Sequence, residues 1–144
     1  MNPDDIRASI LDGTIRAISG DTCIFDASGL RLEHGQLKQL ENLAASGFRL
    51  VFSEMTLKEL RKHLAKKTEE ARSALQKGLA ESVNYWALPE ERRHQLYEEI
   101  VGNADFKSKA ETRLTAFLER CKAERISTET WCASVTAVLK PTLA

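Results

Sequence analysis

Between Ile15 and Leu64 the chain alternates two short apolar runs with two helical patterns, and this order constrains the fold more than any other feature. Ile15 to Ser19 is rich in β-branched residues and reads as a strand ended by Gly20-Asp21. Leu37, Leu40, Leu43 and Ala44 then recur at helical spacing, and Gly47 stands where a helix stops. Phe48 to Phe52, FRLVF, is a second strand, and a long helix follows it. Strand–helix–strand–helix is the pattern of a parallel sheet covered by helices. Two parallel strands bring Asp21 and Glu59 toward one edge of that sheet, the carboxyl edge at which such folds gather ligands.

The rest of the chain reads as helices around that nucleus. Residues 1–13 form a short helix with Ile6, Ile10 and Leu11 on one side and Gly13 as its stop. Cys23-Ile24-Phe25 either extends the first strand or tucks a turn against the core, and Asp26 to Gly29 is loop chemistry. From Met55 to Glu81, Leu57, Leu60, Leu64, Ala71, Leu75 and Leu79 trace one apolar stripe. Pro89 suits the first turn of a further helix with Leu96, Ile100 and Val101 on its apolar side. Phe106, Ala110, Leu114, Phe117, Leu118 and Cys121 give another stripe, and Asp105 is the natural cap before it. Glu124 to Ile126 is a brief third strand, and Ser127 or Thr128 caps a last helix holding Trp131, Val135, Val138 and Leu139. The expectation is a single α/β domain over residues 1–144: a small parallel sheet flanked by several helices, one of them long and amphipathic.

Composition narrows the function classes. Twenty-one basic and twenty-one acidic residues cancel, so no global charge points to nucleic acid or a membrane surface. No stretch approaches the ~20 apolar residues that cross a bilayer, and MNPDDIRASILDG lacks the apolar core of a signal peptide. Cys23, Cys121 and Cys132 have no CxxC spacing and suit a reducing compartment, so a cytoplasmic location is expected. His34, His63 and His94 are scattered without ligand spacing, which argues against zinc. There is no glycine-rich phosphate loop.

Two carboxylates and one ridge of cations remain as candidates. Asp21 is either an Asx turn that satisfies local N–H groups or a ligand at the sheet edge. Thr56-Leu57-Lys58-Glu59 fits a capping box, which by itself explains a Glu at 59; Glu54 is a second acid near the same strand end. Between 58 and 77 seven Lys or Arg stand against three Glu. They form either a solvated helix face or a phosphate-binding ridge, with Arg61, Lys62, Lys66 and Lys67 as its candidate contacts. Cys121 and Cys23 both read as small core residues.

Asp21-Thr22-Cys23-Ile24-Phe25 resembles the first motif of PIN-like nucleases, a strand ending in Asp followed by Thr and then Asn or Ser, with Cys23 a departure at the third place. Phe48 to Leu60, FRLVFSEMTLKEL, is similar to the family's second strand, Ser and helix opening with Glu-Leu. The run through residues 14–80 most resembles a bacterial PIN-like group. The resemblance implies a metal-dependent ribonuclease fold in which three or four carboxylates hold Mg²⁺ or Mn²⁺. By motif, Asp21 and Glu59 are carried over as metal ligands and catalytic acids, with RNA as the substrate. The later acids of the family have no clear counterpart: Asp105 comes too early, Glu129 opens the last helix, and no Ser-x-Asp motif follows. The chain therefore reads as a PIN-like domain lacking the C-terminal strand and helix, its site completed by a missing segment or by a second copy in a homodimer. The other class is a non-catalytic α/β interaction module that uses the basic helix 55–81 as its contact surface.

Overall fold

The computed structural model describes residues 2–127. In it, β1 (Ala17–Ser19), β2 (Arg49–Ser53) and β3 (Glu124–Ile126) form one sheet in the order β1-β2-β3. Both pairings are parallel: Ser19 lies opposite Val51, and Ser53 lies opposite Ile126. Central β2 buries Leu50, Val51 and Phe52 in succession. An unbroken apolar run of that kind belongs to a strand covered on both faces. The α/β class with a small parallel sheet is thus observed.

Helices α1 (Pro3–Leu11), α2 (Thr22–Ala27), α3 (Gly35–Ala45), α4 (Glu54–Tyr85), α5 (Glu90–Ile100) and α6 (Phe106–Arg120) complete the described elements. α3 stops where expected, with Gly47 in the left-handed region at φ 86°. Asp105 caps α6, accepting the Ser108 N–H at 3.2 Å. Pro89 precedes α5 as its cap residue instead of occupying the first turn. The last expected helix, with Trp131 and Leu139, lies outside the described residues.

The chain divides into two compact units, Met1–Leu60 with Leu114–Ala144, and Arg61–Arg113. In the first unit three phenylalanines make the centre of the core. Phe25 meets Phe52 and Phe117 edge-on, with ring centroids 5.7 and 5.8 Å apart. Leu57, Leu60, Leu114 and Cys121 are buried with them. Burial pushes the Cys121 thiol up to about 11, with Glu41 adding to the rise and Arg120 opposing it. Arg120 itself donates to Glu41 at 2.7 Å and ties α6 to α3. Arg49 grips Glu124 through two hydrogen bonds across β2 and β3, which holds the Glu124 carboxyl below its ordinary value.

In the second unit, Leu64 and Ala110 are buried, and Arg61 pairs with Glu111 at 2.6 Å. The Arg72 guanidinium lies over the Phe106 ring, 5.7 Å from its centroid. The apolar stripe of α4 is deeply buried at Leu57, Leu60 and Leu64 but only half-buried at Leu75 and Leu79. α5 buries no residue, and Ile100 on its expected apolar side is 62% exposed.

Of the two expectations for Cys23-Ile24-Phe25, a strand extension or a turn tucked against the core, the strand extension does not form. These residues sit in α2, a helix of six residues. Thr22 and Phe25, three positions apart, face inward. Cys23 and Ile24 consequently face solvent, so Cys23 is exposed and is not a core residue. Asp26 likewise belongs to α2 and not to the following loop.

Candidate functional site

Parallel pairing brings the carboxyl ends of all three strands to one edge. Carrying the β1–β2 register two residues beyond Ser19 sets Asp21 level with Ser53, which lies opposite Ile126. Gly20 makes this approach possible. A Cβ there would sit 3.0 Å from Phe52 Cε1, closer than packed carbon atoms ordinarily come, so the buried Phe52 ring would have to give by a few tenths of an ångström, while Phe25 Cε2 at 3.5 Å would be in ordinary contact.

Asp21 is the cap residue of α2, with extended backbone at φ −95° and ψ 160°. Its Oδ1 accepts the Thr22 N–H at 2.6 Å and the Thr22 hydroxyl at 3.1 Å. The local-turn role considered for Asp21 is therefore filled by one of its two oxygens. Oδ2 has no hydrogen-bond partner among the described residues, and the residue is exposed. A carboxylate fixed through one oxygen and uncommitted at the other is hard-oxygen chemistry of the type that Mg²⁺ and Mn²⁺ take.

The capping box expected at Thr56 and Glu59 does not form. α4 begins at Glu54, because the Ser53 hydroxyl at the end of β2 accepts the Thr56 N–H at 3.1 Å and bonds the Thr56 hydroxyl at 2.9 Å. Thr56 is thus the third residue of the helix, and Glu59 lies beyond the first turn, where no free N–H remains for it to cap. Glu59 is exposed, with no ion pair among the described residues. Glu54, the residue directly after β2, sits at the carboxyl edge at the start of α4. The sequence signal for it was its place after the strand, and its presence there also favours the helix dipole.

Asp21, Glu59 and Glu54 do not complete a metal-binding set. Among the described residues no group of three His, Cys, Asp or Glu could hold a metal ion. The donor type fits a hard cation, but its number falls short, and Glu129 lies outside the described residues.

The four basic candidates separate. Arg61 is committed to Glu111, and Lys67 to Glu70 at 2.9 Å. Lys62 and Lys66 line an open groove in the second unit together with Lys107 and Ser108 of α6. Among the described residues no helix is long and apolar enough to cross a membrane.

A family model described as PIN domain matches residues 18–140 of the chain. No curated protein and no solved structure matches it.

Proposed function

Because the chain belongs to the PIN domain family, a nuclease-type fold, we propose that it is a divalent-metal-dependent ribonuclease whose reaction is centred on Asp21. The observation that carries this reading is the position of Asp21: it follows β1 at the carboxyl edge, inside the matched region, with one oxygen free. Asp21 and Glu59 would hold the ion, Mg²⁺ or Mn²⁺, and Glu54, directly after β2, is a further acid at that edge. A divalent ion bound there supplies Lewis acidity toward a phosphoryl oxygen and a more acidic water. The chain's own contribution is orientation. The Thr22 N–H and hydroxyl fix Asp21 Oδ1, and Phe25 anchors the helix that Asp21 caps. Two carboxylates hold such an ion loosely, so the reading requires further oxygen ligands from outside the described residues or from a second copy of the chain.

Mn²⁺ binding tests it directly. Titration followed by the loss of the free-ion EPR signal is expected to give saturable binding for the wild type and none for Asp21→Asn. Equal binding by both would reject Asp21 as a ligand. It would favour the second reading, a non-catalytic module whose contacts are the cations of α4.

A further inference from the structure

From the groove of the second unit we infer a track for single-stranded RNA, a binding site that grips the phosphate backbone and takes no part in the chemistry. The inference rests on the ribonuclease reading for the identity of the strand, but its geometry is independent of Asp21. Lys62 and Lys66 from α4 line the groove together with Lys107 from α6, residues far apart in sequence. All three are exposed, and none has an ion-pair partner among the described residues.

The acids of the groove do not cancel these cations. Glu111 is taken by Arg61 at 2.6 Å, which leaves Glu69 against three lysines. Lys62 and Lys66 are four residues apart, so they rise one above the other on one face by ~6 Å along the helix axis. That interval is of the same order as the spacing of adjacent phosphates along a single strand. Asp105 accepts the Ser108 N–H at the start of α6, so its carboxylate sits at that helix end and the lysines supply the positive charge of the groove. Phe106 and Ala65 also line the groove and give it apolar surface between the charges. Base faces that could lie on such a surface are free in a single strand and stacked away in a duplex. An acidic peptide would use the lysines but not the apolar floor.

The test is binding of a labelled, unstructured single-stranded RNA in EDTA, across a range of salt, by three proteins that each span residues 1–144. Each of the three lysines that neutralises a phosphate adds about 0.7 to the slope of log affinity against log salt. Changing Lys62, Lys66 and Lys107 together to Gln is therefore expected to flatten the slope by about 2, and to weaken binding about 100-fold at 0.1 M salt. Gln is a good helix former, so the thermal midpoint should be unchanged. A control that changes Lys38, Lys77 and Lys122 to Gln removes the same charge outside the groove, and should weaken binding less than threefold. Equal loss in both variants, or loss in neither, would overturn the proposal. So would duplex RNA or a polyglutamate peptide binding the wild type as tightly as the single strand. The assay contains no divalent ion, so failure of the ribonuclease reading shows up separately, as absent Mn²⁺-dependent cleavage with binding intact.

Discussion

Phe25 should be the costliest single truncation near the sheet edge. It is 1% exposed and packs edge-on against both Phe52 and Phe117. Removing a buried phenylalanine ring costs ~3–5 kcal/mol, counting lost transfer energy and the cavity left behind. The two ring pairs, each worth ~0.5–1.5 kcal/mol beyond area, set Phe25→Ala toward the upper end of that range. A domain of this size holds about 5–15 kcal/mol in all, so the variant gives up a large share of its margin. In urea, with a slope of about 2 kcal/mol/M, the midpoint should fall by about 1.5–2.5 M, with the slope itself unchanged. Ile24→Ala, one residue away and 51% exposed, should move stability by less than about 0.5 kcal/mol. The contrast also tests the helix: in a strand, Cys23 and Phe25 would share the buried face, whereas in α2 Thr22 and Phe25 do. A loss below ~1 kcal/mol for Phe25→Ala would refute the packing of α2 on the sheet.

Two further predictions concern residues with one structural and one chemical role. Asp21→Ala loses the acceptor of the Thr22 N–H and should cost about 1 kcal/mol, whereas Asp21→Asn keeps an oxygen there and should melt within a degree or two of the wild type; equal destabilisation by both would contradict the capping geometry. In a Cys132→Ser background, one thiol (Cys23) should react quickly with a disulfide reagent at pH 8, while buried Cys121 stays protected until unfolding. The fold keeps the Cys121 proton to about pH 11, whereas the unfolded chain releases it near 9.0. Between those values the unfolded chain binds fewer protons, so stability should fall as the pH rises, and this fall should vanish in Cys121→Ala.

The parallel sheet was legible because its signals are local. Apolar runs of strand length alternate with helical periodicity, and Gly13, Gly20 and Gly47 mark the stops. Where two readings share one local signal, sequence could not decide between them. Cys23-Ile24-Phe25 is too short to show a period, and it is the joint burial of Thr22 and Phe25, three positions apart with Cys23 exposed, that marks the helix. Ser53 and Thr56 are both good caps, and the helix takes the one that ends the strand. That choice removes the capping role that Glu59 seemed to have. The basic ridge was visible as composition, but its division was not. Glu111, which neutralises Arg61, is 50 residues away, and Lys107 joins Lys62 and Lys66 only through the packing of the second unit.

Cleavage of a labelled single-stranded RNA in the presence of Mn²⁺, with wild type beside Asp21→Asn, tests the central claim most directly. The account predicts metal-dependent cleavage by the wild type and none by a variant that melts at the same temperature. Cleavage by the two proteins at the same rate, or by neither, would contradict it.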